Sequence, residues 1–221
     1  MEDQQQGLHR DAFDNAPIAP LGIIAMPGCE MLGARVNAYL TNWRNAHEER
    51  DEELVAHPGY QRDDFLLQVE CPRFGTGEGK GMLKQSVRGY DLYIISDVTA
   101  YQIQYNMRGM DVPMSPDDHY SDLKRIIAAV GGKARRINVI MPFLYESRQH
   151  RRTSRESMDC ALMLQELTAM GVTNIITFDA HDPRVQNSIP LTGFESIHPT
   201  YQMLKALLKK EKDLNISKDA M

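Results

Sequence analysis

Residues 148–155 read RQHRRTSR, so Arg148, Arg151, Arg152 and Arg155 share eight positions with one imidazole, His150. Guanidinium groups suit bidentate contact with phosphate or carboxylate, and like charges this close repel unless an anion lies among them. The chemistry on offer is capture of an anion, a polyphosphate above all; a solvated basic loop paired with surface acids is the alternative. A second set, FDAHDP at 178–183, carries Asp179, His181 and Asp182. An Asp and a His this close can ligate a cation together, or the Asp can orient the imidazole for proton transfer. Such residues also cap turns, and Asp182-Pro183 reads as an ordinary turn. A third set, RFGTGEGKG at 73–81, invites a phosphate-loop reading and fails it, because Phe74 occupies the first Gly position and Gly81 follows Lys80 where Ser or Thr is needed. Its spaced glycines make it a loop: a flexible hairpin presenting Phe74 for stacking and Glu78 for hydrogen bonding, or a plain hairpin.

These sets must be held by something, and the chain has material for it. Its 221 residues are 42% hydrophobic with a mean hydropathy of −0.44, as in a water-exposed globular domain. Twenty-five Lys and Arg against 30 Asp and Glu leave a formal charge of −5, so the arginine cluster is local and no nucleic-acid partner is expected. No apolar run reaches the roughly 18 residues of a membrane span, and the first residues lack the apolar core of a signal peptide. Three widely spaced cysteines, Cys29, Cys71 and Cys160, read as reduced thiols. A cytoplasmic location is therefore expected.

Apolar runs at 21–26, 65–69, 91–96, 137–141 and 174–178 alternate with helical patterns at 30–50, 115–130, 156–170 and 199–212. Short, nearly unbroken apolar strands between helices predict an α/β fold, a parallel sheet with helices on both faces. Residues 1–20 are expected to be an N-terminal extension and 21–221 one domain. Ligands of such sheets sit outside the carboxyl ends of the strands, where the loops at 75–80, 143–155 and 179–188 are expected to lie.

Four stretches taken together resemble the first half of the ribose-phosphate pyrophosphokinase (phosphoribosyl pyrophosphate synthetase) family. Residues 73–78 resemble its R-F-S-D-G-E loop, and 87–95 its V-R-G-x-D-x-x-I-I strand. Residues 142–149 resemble P-Y-x-x-Y-A-R-Q with basic residues and S-R behind it, and 175–181 resemble I-x-T-x-D-L-H. The likeness runs from about Ile24 to the C-terminus, in the family's order and spacing. It implies a phosphoribosyltransferase-like N-terminal domain. It also implies a transferase of nucleotide biosynthesis that passes the β,γ-pyrophosphoryl group of Mg-ATP to the C1 hydroxyl of ribose 5-phosphate, yielding AMP and phosphoribosyl pyrophosphate. Carried over residue by residue, Phe74, Thr76, Gly77 and Glu78 fall in the adenine loop, with Phe74 and Glu78 on the base. Arg148 and Gln149 bind ATP. His181 becomes the catalytic and metal-contacting residue at the magnesium–triphosphate end, with Asp179 supporting it. The family shares its ATP site between subunits, which implies a homo-oligomer.

The chain departs from that pattern as a divergent branch. Thr76 stands where the family has Asp, which weakens or removes one adenine acceptor, and His150 stands where the family has Asp after R-Q. The arginine loop is one residue shorter before Ser154-Arg155, and segment 106–117 is longer and more polar. A counterpart of the family's second, phosphoribosyl-binding domain is expected to be missing from these 221 residues. The chain is thus expected to be a truncated, ATP-side half that binds nucleotide weakly and is inactive alone. The other readings are a non-catalytic regulatory partner of the same fold and an unrelated anion- or nucleic-acid-binding module.

Overall fold

The computed structural model describes residues 17–46 and 52–210; most of the expected extension at 1–20 and the expected helix tails at 47–50 and 211–212 fall outside them. β1 (Leu21–Ala25) leads through α1 (Glu30–Ala46) and the short α2 (Glu52–Val55) to the hairpin β2 (Val69–Glu70)–β3 (Met82–Leu83). β4 (Asp91–Ile95) is followed by a second hairpin, β5 (Gln104–Met107)–β6 (Met110–Pro113), and by α3 (Pro116–Val130). Then come β7 (Arg136–Met141), α4 (Asp159–Ala169), β8 (Asn174–Phe178), a 3-10 turn (Pro183–Ser188), β9 (Gly193–Ile197) and α5 (Thr200–Lys210).

β1, β4, β7, β8 and β9 form one parallel sheet in the order β1-β4-β7-β8-β9. Alternate strand residues feed two cores, as the period of two requires. On one face Ile24, Leu92, Ile94, Val139 and Ile175 pack with Leu123 and Ile126 of α3 and Leu164 and Leu167 of α4. On the other, Ile23 and Ile95 pack with Phe65 and with Val36 and Leu40 of α1. α5 contributes no buried residue. Polar ends are tied off at the strand starts: Arg136 grips buried Asp91 through Nε (2.8 Å) and Nη2 (2.5 Å), and Asn138 Nδ2 donates to the same carboxylate at 2.8 Å.

The start and stop of α3 follow the expected signals. Ser115 Oγ accepts from the Asp118 N–H, Asp118 Oδ2 accepts from the Ser115 N–H at 2.9 Å, Pro116 opens the first turn and left-handed Gly131 (φ 56°) closes the helix.

The run at 65–69 departs from expectation. Instead of a full strand it makes one parallel bridge to the outer edge of β1, with Ile23 N–H donating to Phe65 O (2.8 Å) and Leu67 N–H to Ile23 O (2.7 Å). The chain therefore leaves β1 on one side and returns as β4 on the other, which makes β1/β4 the topological switch point. Gly28, φ 92°, turns the chain there, and a Cβ on it would stand 2.5 Å from Ala100 Cβ. β9, the 3-10 turn and the β5–β6 hairpin occupy stretches to which the sequence assigned no strand or helix. α4 starts at Asp159, three residues later than the pattern predicts.

Candidate functional site at the carboxyl rim of the sheet

β7 ends at Met141 and the chain turns back over buried Leu144 and Ser147, with Ser147 N–H bonded to Leu144 O (3.2 Å) and Gln149 N–H to Glu146 O (2.9 Å). Glu146 takes the left-handed region, φ 55°. Gln149 O accepts from Cys160 N–H in the first turn of α4, an N-terminus whose cap residue, Met158, supplies no side-chain bond. The turn leaves Arg148, Arg151, Arg152 and Arg155 exposed. Among the described residues none of the four forms an ion pair, whereas Arg73, Arg125, Arg136 and Arg184 each bridge to a carboxylate. Two of the four still act on nearby acids through their charge, Arg148 on Glu146 and Arg152 on Glu156.

His150 links this loop to the end of β8. Its ring meets the exposed ring of His181 edge-on, centroids 5.1 Å apart and planes at 62°, and its Nε2 lies 3.5 Å from Asp182 Oδ2. His150 Nδ1 is buried without a hydrogen-bond partner among the described residues. Asp182 caps the 3-10 turn through the Arg184 N–H; hydrogen bonds from the Arg184 side chain and backbone, with its charge, hold the Asp182 carboxyl below the usual carboxylate range. Asp179, φ 43°, places Oδ1 2.7 Å from Nδ1 of His198, just beyond β9. Asp179 thus orients His198, a residue the sequence reading missed, whereas the packing partner of His181 is His150. The expected support of His181 by Asp179 is not among the described contacts.

Beside Arg148 a cleft of about 230 Å³ opens beyond β4 and β7, lined by Thr99, Tyr101, Phe143, Tyr145 and Glu146. Tyr145 donates to Asp117 Oδ1 (2.6 Å) and its ring stacks on Tyr120 at 4.6 Å. Burial, then the neighbouring Asp159 and Asp117 charges, raise the Glu146 pKa against the opposing pull of Arg148. The cleft thus pairs exposed aromatic surface with one free guanidinium.

The loop at 74–78 follows no strand of the five-stranded sheet, contrary to expectation. It tips the β2–β3 hairpin, closed by Phe74 N–H to Glu78 O and Gly77 N–H to Phe74 O, both 2.8 Å. The reason is a buried charge. Arg73, with a side chain 5% exposed, donates to Asp122 of α3 at 2.5 Å, and Arg125 donates to the same oxygen at 2.6 Å. Burial opposes the Arg73 charge, and Asp122 outweighs it, so its pKa rises. Asp122 sits on the apolar stripe of α3 between His119 and Ile126, all buried; an acid on a core stripe was the legible sign of this lock. The lock leaves Phe74 58% exposed, and Thr76 Oγ1 donates to Glu78 Oε2 at 2.8 Å. No hydrogen bond, ion pair or ring contact among the described residues joins 74–78 to Arg148, Gln149 or His181.

Among the described residues no group of three or more His, Cys, Asp or Glu side chains, His181 included, is disposed to hold a metal ion. Magnesium takes oxygen ligands in an octahedron, so these residues do not form a magnesium site by themselves. Burial pushes the Cys29 and Cys160 thiols up to about 11 and the Cys71 thiol up to about 12, which favours the protonated form near neutral pH. No described helix is long and apolar enough to cross a membrane.

Residues 23–171 match the family model described as the N-terminal domain of ribose phosphate pyrophosphokinase. A ribose-phosphate pyrophosphokinase of Corynebacterium ammoniagenes is 28% identical over 144 residues, 64% of this chain and 40% of that protein. A protein of Listeria innocua described as putative ribose-phosphate pyrophosphokinase 2 is 30% identical over 135 residues, 60% of this chain and 39% of its own length. The crystal structure of phosphoribosylpyrophosphate synthetase from Mycobacterium smegmatis shares the fold, with a TM-score of 0.63 at 19% identity over 86% of this chain and 52% of that one. The chain thus spans about 40% of the length of the curated relatives it matches.

Proposed function

Because the chain belongs to the family of the N-terminal domain of ribose phosphate pyrophosphokinase, an enzyme family, we propose that it is the ATP-side portion of a ribose-phosphate diphosphokinase. One observation carries this reading: four exposed guanidinium groups, none in an ion pair among the described residues, stand on a turn whose imidazole, His150, packs on His181 at the neighbouring strand end. Such a rim is matched to a substrate carrying several negative charges, as the triphosphate of Mg-ATP does, since transfer needs that charge neutralised before a nucleophile approaches.

In this reading Arg148 and Gln149 hold the phosphates, and His181 faces the end where magnesium travels with the triphosphate as part of the substrate. Phe74 and Glu78 take the adenine. Among the described residues no hydrogen bond, ion pair or ring contact joins loop and rim; in this reading the nucleotide bridges the loop of one copy and the rim of another, and the working unit is a homo-oligomer. Acceptance of the pyrophosphoryl group by ribose 5-phosphate belongs to the whole enzyme. The 221-residue chain supplies ATP binding and does not turn over alone.

Titration of the chain with ATP is the test. Arg148→Ala removes a charged hydrogen bond worth about 1.5–3 kcal/mol, so Kd should rise roughly 10- to 150-fold. An unchanged Kd would remove the phosphate site from this rim. AMP released from ATP and ribose 5-phosphate by the purified chain would refute the division of labour.

A further inference from the structure

We propose that the β5–β6 hairpin is a strap that holds the 74–78 loop in the pose by which it reads the nucleotide base, with Tyr105 and Met107 as positioning residues that set base selectivity without touching the nucleotide. The inference rests on the base-loop reading of Phe74 and Glu78 given above.

The strap meets the loop at two points and the arginine before it at a third. The Arg108 N–H donates to Gly75 O at 3.0 Å. Gly77, φ 95°, lies so close to Met107 that a Cβ there would stand 2.9 Å from Met107 Sδ. The Tyr105 ring lies 4.9 Å from the Arg73 guanidinium carbon. Arg73 Nε and Nη2 are buried with no hydrogen-bond partner among the described residues, so the ring face of Tyr105 covers the part of the cation that Asp122 leaves unanswered. Arg73 is therefore clamped from α3 by a carboxylate and from the strap by a ring, and the base loop begins at the next residue.

The geometry of the strap supports this role. Arg108 (φ 53°) and Gly109 (φ 83°) form a two-residue turn of the type with both central residues at positive φ, where Asn-Gly is the unstrained choice. An arginine held in that conformation is under backbone strain. Asn106 steadies the turn from outside, accepting from Gly109 N–H at 3.0 Å and donating to Asp111 at 3.2 Å. A hairpin with no stake in the sheet core is thus kept rigid where it presses on the loop.

The pose decides which base fits. Thr76 occupies Glu78 Oε2, which leaves Oε1 as an acceptor. An ionised carboxylate only accepts: it binds the exocyclic amino group of adenine and repels the carbonyl oxygen that guanine carries there. If the loop slackens, Glu78 is no longer aimed and the Thr76 hydroxyl, a donor as well as an acceptor, becomes available to either base.

The experiment measures ATP, GTP and inorganic tripolyphosphate affinities of the 221-residue chain and four variants. Wild type should favour ATP over GTP at least about tenfold. Tyr105→Leu should bring that ratio to within about threefold and leave tripolyphosphate affinity unchanged, and Tyr105→Phe, which keeps the ring, should restore it. Met107→Ala, which leaves the Arg73 clamp intact, should move the ratio in the same direction. Ratios unchanged in both Tyr105→Leu and Met107→Ala, while Phe74→Ala weakens ATP, would overturn the strap and spare the base loop. Phe74→Ala with undiminished ATP affinity would overturn the base-loop reading, and the strap with it.

Discussion

Asp122→Ala is the perturbation whose cost the structure defines most closely. The Asp122 side chain is 2% exposed and accepts from two arginines that share its Oδ1. Their environments differ. Arg125 is 33% exposed and can turn to water once the carboxylate is gone; Arg73 is 5% exposed, is tethered within the β2–β3 hairpin and cannot. The variant therefore leaves one full charge buried without a counter-ion, a loss of roughly 3–5 kcal/mol. That is a large share of the 5–15 kcal/mol or so that holds a domain together. At about 2–4 °C per kcal/mol for a chain of this size, Tm should fall by roughly 6–20 °C. Urea denaturation followed by circular dichroism measures the same quantity directly. The double variant Arg73→Met/Asp122→Leu removes both charges and should recover most of the loss, since apolar replacement of a buried pair is about neutral. If Asp122→Ala costs under about 1 kcal/mol with an unaltered denaturant slope, Arg73 finds another partner and the lock does not exist.

Other outcomes follow from the same coordinates. Against a desolvation that raises it, hydrogen bonds from Tyr120 (2.7 Å) and Lys124 (2.9 Å) hold Glu166 below its ordinary 4.5. Because the folded value is the lower one, its contribution is present above the unfolded pKa and lost as pH falls through the folded one. Wild type should exceed Glu166→Gln in stability by no more than about 1 kcal/mol at pH 7 for this exposed pair, and urea titrations at falling pH should show the margin close below about pH 4.5. With thiol pKa values pushed up to about 11 by burial, the buried Cys29 and Cys160 should resist a thiol-specific disulfide reagent at pH 8 and react fully in denaturant; fast reaction of both in the native chain would contradict their burial. Gly28→Ala should cost about 2–5 kcal/mol by chemical denaturation, summing a left-handed Cβ and overpacking against Ala100, and a cost below about 1 kcal/mol would show that the switch-point turn relaxes.

The parts of this protein written along the chain were legible without coordinates. Buried parallel strands need near-continuous apolar residues, so β4, β7 and β8 announced themselves; α3 did so through Ser115, Pro116, Asp118 and Gly131, whose capping chemistry is local. The arginine turn and the Asp179–His181 loop were placed correctly at strand ends, because each directly follows an unmistakable strand. β9 was not legible: as an edge strand it alternates exposed and half-buried residues and offers only Phe194 to the main core. Nor was the site of the 74–78 loop, since nothing near Arg73 in sequence shows that its counter-ion is Asp122, 49 residues on. The packing of His150 on His181, the pairing of Asp179 with His198 and the strap across Gly77 have the same origin. Propensity and periodicity are properties of neighbours in the chain, whereas a buried charge or a ring against a ring is satisfied by whichever residue the fold brings near, and only the assembled sheet and helices decide which that is.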